Sequence, residues 1–124
     1  MATVRRKKAS KKDFILLRAS AMFREKGFSA TSMRDLAEMV GIEAASLYNH
    51  IQSKSEILQE IIFRMANDCN VHLEELESSK LSSIKKIESL IRFHVQMMIS
   101  KCDDYTVMIN EWMHLSEPYL TNFN

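Results

Sequence analysis

The chain has 124 residues, 46% of them hydrophobic and 27% charged, with only two Gly and one Pro. That length suffices for one core of ordinary size but not for two independent domains, and so few turn residues exclude a sandwich or a barrel. Lys and Arg (17) nearly balance Asp and Glu (16) for a formal charge of +1, which excludes a disordered polyelectrolyte.

Residues 1–10 hold Arg5, Arg6, Lys7 and Lys8 with no apolar period and read as a disordered basic arm. From Lys11 to Lys26, Ile15, Ala19 and Phe23 recur every fourth residue beside Leu16 and Met22, which predicts an amphipathic helix. Gly27 is expected to stop it in the left-handed conformation, with Phe28 packing back. Thr31 or Ser32 can cap a short second helix, Asp35 lies at the capping-box position, and Leu36, Ala37 and Val40 face inward. Gly41 ends that helix, and a third is expected from near Glu43 to about Ile51, with Leu47 and Ile51 inward. Ser53 and Glu56 predict a second capping box, opening a long helix from Lys54 to about Glu77. Its stripe is Ile57, Leu58, Ile61, Met65, Cys69, Leu73 and Leu76. After a link at 78–80, a fifth helix is expected over 81–101 (Ile84, Ile87, Ile91, Val95, Met98), and a sixth over 105–115, ended by Pro118. No segment alternates with period two for long enough to form a strand, so the fold class is all-α.

The balanced charge conceals an asymmetry. Residues 1–54 carry eleven Lys and Arg against five acids, a net +6, whereas residues 55–124 carry six against eleven, a net −5. Such a division suggests a polyanion-binding head on a body that avoids nucleic acid, or a basic tail with no partner.

Helices two and three, joined through Val40-Gly41-Ile42, have the form of a helix-turn-helix, whose second helix fits the roughly 12 Å wide major groove of DNA. Small Ala37 allows close approach, and Leu36, Val40, Ile42 and Leu47 seal the angle. The segment from Gly27 to Leu58 closely resembles the N-terminal domain of the TetR family of bacterial transcriptional repressors. The resemblance rests on Phe23, Gly27-Phe28, Thr31-Ser32, Ala37, Gly41-Ile42, Leu47-Tyr48, His50-Ile51 and Ser53-Lys54, all in register. It covers roughly residues 11–60; beyond residue 65 only the helical, Met- and Leu-rich character agrees. Glu43 and Ala45 depart from the family's usual small hydroxyl and Gly.

The resemblance implies three segments: the arm, a DNA-binding domain over 11–56 with its helix-turn-helix at about 32–51, and the start of a helical ligand-binding and dimerisation domain over 57–124. It also implies a homodimeric repressor on a pseudo-palindromic operator, released by a small hydrophobic effector, of which a fatty acyl-like molecule is one kind. In the family, the positions of Tyr48 and His50 contact mostly backbone phosphates. Ala44, Ala45 and Ser46 start the recognition helix, where Ala can touch a thymine methyl and Ser can bond any base. Asn49 can take adenine bidentately or meet phosphate or water. Thr31, Ser32 and Lys54 sit at helix N-termini suited to phosphate, and Arg34 can reach the backbone or a guanine.

In the second half, Phe93, His94, Met97, Met98, Met108, Met113 and Trp112 form a soft apolar group, either an effector site or core and dimer filler. The exposed stripes of helices five and six need a partner surface. Cys69 and Cys102 read as buried thiols of a cytoplasmic protein, the histidines lack metal-ligand spacing, and no apolar run or secretory signal implies a membrane. No phosphate loop, nucleophile elbow or carboxylate pair supports an enzyme, and no cofactor is implied. The competing function is a helical protein–protein interaction module without DNA binding.

Overall fold

A computed structural model describes residues 10–115, so the basic arm up to residue 9 and Pro118 lie outside the described residues. Six helices follow in order: α1 (Lys11–Lys26), α2 (Met33–Val40), α3 (Ala44–Tyr48), α4 (Lys54–Ser78), α5 (Ser83–Ser100) and α6 (Cys102–Glu111). A single 3-10 turn, Trp112–His114, continues α6, and the described residues contain no strand. The fold is all-α.

α1, α2 and α4 each begin behind a serine that satisfies otherwise unpaired N–H groups. Ser10 and Asp13 form a capping box on α1, so the last residue of the expected arm is a cap. Ser32 and Asp35 do the same on α2. At α4 the pattern differs from the expected box: Ser53 accepts from the Glu56 N–H, but the Glu56 carboxylate accepts from Gln52, one residue further back. Gly27 also departs from expectation. Its φ of 91° and ψ of 151° lie outside the left-handed helical well, in a region open essentially to glycine alone.

Asp35 illustrates how local chemistry enters stability. The Ser32 backbone N–H, the Lys26 ammonium and the Ser32 hydroxyl hold its carboxyl down at about 2, against an ordinary 3.8. A carboxylate with a depressed folded pKa stabilises above its unfolded pKa, and that contribution is lost as pH falls through the folded value. Asp35→Asn should therefore be less stable than the parent at neutral pH, and the gap should close between about pH 4 and pH 2. Paired acid-denaturation series check this; a gap that stays constant through that window would refute it.

α1, α2, Leu47, Ile51 and the first half of α4 enclose one core, in which Ile15, Ala19, Phe23, Leu36, Leu47 and Ile57 are almost wholly buried. α6 packs on both α1 and α4, with Val107 inside the same core. α4 runs without interruption across the expected domain boundary at 56/57, so helix rather than linker joins head to body.

α5 begins two residues later than the pattern predicts, at Ser83 behind the Ser82 cap, leaving Leu81 exposed in the link. α6 begins earlier, at Cys102, after a single break at Lys101. α5 folds back along α4 in a register marked by His72 on Phe93, Cys69 beside Met97 and Lys101 on Asp68. The stripe of α4 is interrupted at Leu73, which is exposed, and resumes at Leu76, which is buried.

Candidate nucleic-acid interface

Gly41 closes α2 in the left-handed conformation, at φ 75° and ψ 31°. Its N–H reaches Glu38, and the Ile42 N–H reaches back to Ala37, the paired bonds of a Schellman turn. This turn sets the angle between α2 and α3. Leu36, Ala37 and Leu47 seal it from inside, with Val40 and Ile42 half-buried against them.

α3 is shorter than the periodicity suggests. Its last helical residue is Tyr48; Asn49 and His50 form a turn whose N–H groups bond to Ser46 and Leu47. Ile51 still points inward, 1% exposed, but from the turn. Glu43 precedes the helix without a side-chain capping bond. Ala45, Ser46, Tyr48, Asn49 and His50 are all exposed, whereas Ala44 is half-buried and packs against the core. The outward face therefore starts at Ala45, and Ala44 belongs partly to the scaffold.

Beside α3, Ser29–Arg34, Tyr48 and Gln52–Lys54 line a cleft that joins the N-termini of α2 and α4. Tyr48 and Arg34 are exposed here, and Arg34 has no ion pair among the described residues. Two candidates act differently from the expectation. Thr31 is 1% exposed, and its hydroxyl donates to the Gly27 carbonyl at 2.8 Å, so the side chain fastens the loop. The Lys54 ammonium donates to the Phe28 carbonyl at 2.9 Å and to that of Ser29 at 3.4 Å, and lies 4.4 Å over the Phe28 ring. It positions the loop before α2 against the start of α4. Gln52, absent from the sequence-based set, joins the cleft from the segment between α3 and α4, a position that no periodic pattern marks.

Much of the head's positive charge is committed internally. Lys12 pairs with Glu60, Arg24 with Asp103 and Lys26 with Asp35. Charge counting therefore overstates the cations that the folded head presents to a polyanion.

The candidate effector residues are not brought together. Phe93 and Met97 line a cleft of about 390 Å³ between α4 and α5. His94 is half-buried beside the cleft, edge-on to Phe93 with ring centroids 6.0 Å apart, and Met98 is exposed on another face of α5. Met108 and Trp112 pack against the head's core, and Met113 is exposed. The rest of its lining, absent from the sequence-based set, includes Asp68, His72, Glu75 and Lys101. His72 stacks on Phe93 with centroids 4.1 Å apart, and its Nε2 is buried without a hydrogen-bond partner among the described residues. Burial first, and then Asp68, pushes the Cys69 thiol up, away from a reactive thiolate.

An exposed short helix set by a Schellman turn, backed by a sealed core and flanked by two helix N-termini, defines a helix-turn-helix head on a helical body. The sequence pattern described as bacterial regulatory proteins, tetR family, matches residues 15–61. The HTH-type transcriptional repressor KstR2 of Rhodococcus jostii (strain RHA1) is 29% identical over 108 residues, covering 87% of this chain and 53% of the relative. IcaR of Staphylococcus aureus (strain Newman), negative transcriptional regulator of the biofilm operon icaADBC, is 35% identical over 98 residues, covering 69% and 53%. Among solved structures, the ketosteroid transcriptional regulator KstR2 of Mycobacterium tuberculosis superimposes with a TM-score of 0.86 at 25% identity, covering 94% of this chain and 60% of that one. The chain belongs to the TetR family. It spans about half the length of the curated relatives it matches.

Proposed function

We infer that this chain is the DNA-reading part of a transcriptional repressor that binds a pseudo-palindromic operator as a homodimer. The observation that carries this reading is the exposed face of α3, continuous with the cleft between the N-termini of α2 and α4. Ala45, Ser46 and Asn49 meet base edges, with Ala44 at the margin. Tyr48 and His50 meet phosphates, as do the N–H groups that follow Ser32, and Arg34 reaches the backbone or a guanine. Thr31 and Lys54 hold these groups in place. The effector is a small hydrophobic molecule, fatty acyl-like in kind, which enters the body beside Phe93 and Met97; the half-apolar cleft between α4 and α5 supports this reading.

Fluorescence anisotropy with duplex DNA tests the reading. Log affinity should fall with log salt at about −0.9 per phosphate neutralised, and a dimer making some 6 to 10 contacts should lose about 10³ to 10⁵ in affinity between 50 and 200 mM. A flat salt titration, or no binding at low salt, overturns it.

A further inference from the structure

Where α4 and α5 meet, three donor groups gather: the Cys69 thiol, the Met97 thioether and the His72 imidazole. Cys69 and His72 are half-buried, three residues apart on one face of α4, and Met97 is buried on α5. The Cys69 thiol donates to the Met97 sulfur at 3.9 Å. His72 Nε2 is buried and meets no hydrogen-bond partner among the described residues. A buried nitrogen left unpaired is costly, so a partner for it is to be expected.

The register of the two helices brings these donors together. Side chains of a helix lean toward its N-terminus. α4 and α5 run antiparallel, with His72 beside Phe93 and Cys69 beside Met97. His72 therefore leans toward the level of Cys69. Met97, one turn after Phe93, leans toward the level of His72. Both His72 and Met97 also line the cleft of about 390 Å³, which gives a small guest a way in.

The chemistry of the donors selects that guest. Thiolate and thioether are soft ligands and suit Cu(I), whereas carboxylates and carbonyls suit hard cations. Among the described residues no three His, Cys, Asp or Glu gather around a common point, so the usual zinc set is missing. The neighbouring Asp68 carboxylate is committed to Lys101 at 2.7 Å. Two sulfurs bonded to one ion at about 2.3 Å and set about 120° apart lie about 4 Å from each other. The 3.9 Å between Cys69 and Met97 already matches that span, with His72 placed to complete a three-coordinate site.

We propose that Cys69, Met97 and His72 bind one Cu(I) ion between α4 and α5. The S–H bond of Cys69 breaks, its proton leaves to solvent and an S–Cu bond forms, with no change of oxidation state. The ion ties α5 to the helix that continues into the head. This site goes beyond the hydrophobic effector of the reading above and does not depend on DNA binding.

Anaerobic titration of the 124-residue chain with Cu(I), in competition with a chromophoric Cu(I) chelator, tests the proposal. The parent should take up one equivalent and show a thiolate-to-Cu(I) charge-transfer band in the ultraviolet. Cys69→Ser should abolish the band. Met97→Leu, which keeps the core volume, and His72→Phe, which keeps a ring on Phe93, should each weaken uptake roughly tenfold or more, since even outer partners of a metal site are worth about 10–100-fold. Cys102→Ser should bind as the parent does, and circular dichroism verifies that each variant keeps its helicity. X-ray absorption on the parent, which needs no variant, should show two sulfurs and one nitrogen around copper. No uptake by the parent, or a different donor set, overturns the proposal. So does uptake that survives Cys69→Ser, that is indifferent to either Met97→Leu or His72→Phe, or that needs Cys102. Anisotropy on the metal-free chain keeps the two ideas apart: a failure to bind DNA strikes the repressor reading and leaves the copper site standing.

Discussion

Leu47→Ala should destabilise the chain by about 2–5 kcal/mol and lower its affinity for every DNA sequence. Leu47 is wholly buried, and it is the one residue of α3 that is. The helix has five residues and no side-chain cap, so its propensity contributes little; isolated helices shorter than about 12–15 residues are marginal in water. What holds its outer face in place is the packing of Leu47 and Ile51 beneath it. Removing the isobutyl group opens a cavity where α2, α3 and α4 meet and frees the angle set by the Gly41 turn. Chemical denaturation and anisotropy on the same variant check both effects. A loss of affinity confined to one operator sequence would mean that Leu47 shapes base recognition directly rather than holding the helix.

The elements that sequence made legible are those whose signals are local. Ser32 with Asp35 and Gly41 with Ile42 each complete their bonds within six residues, so composition alone points to them. The end of α3 was not legible in this way. Ile51 lies four residues after Leu47, as a helix would have it, yet it reaches the core through a turn. Periodicity records which residues face inward but not the backbone conformation that takes them there. The same blindness applies to α5, whose stripe is regular although its face looks outward.

The cleft between α4 and α5 fell beyond a one-dimensional reading for a different reason. Met97 and Met98 are neighbours in sequence but lie about 100° apart around the helix, and only Met97 turns toward α4. Partners in that cleft are related by reflection about Ser82 and Ser83, where α5 begins: His72 meets Phe93 and Cys69 meets Met97. Folding a hairpin at the expected link of 78–80 sets His72 opposite Lys86, about two turns short of Phe93, and apolar composition alone groups Met108 and Trp112, which pack against the head's core, with Phe93 and Met97. Lys54 and Thr31 show a third limit. Their positions near phosphate-binding helix ends were legible, but the motif does not reveal that the Gly27 and Phe28 backbone carbonyls occupy their donors.

That loop places Phe28 where head and body join, and Phe28→Ala should cost about 3–5 kcal/mol. The ring meets Phe23 edge-on at 5.2 Å, stacks on His114 at 5.4 Å and lies beneath the Lys54 ammonium. Its N–H donates to Glu111 of α6 at 3.2 Å, and its carbonyl accepts from Lys54. The two backbone bonds survive substitution, so the side chain can be tested separately. Phe28→Leu keeps most of the buried area and loses two aromatic pairs and a cation–π contact, a deficit of about 1–3 kcal/mol. Because the loop leads into the α2 cap and anchors the start of α4, Phe28→Ala should also weaken DNA binding without changing sequence preference. Denaturant midpoints for Ala and Leu, with anisotropy on two unrelated duplexes, check the order. An Ala variant within about 1 kcal/mol of the parent would mean that the ring is not what couples α6 to the head.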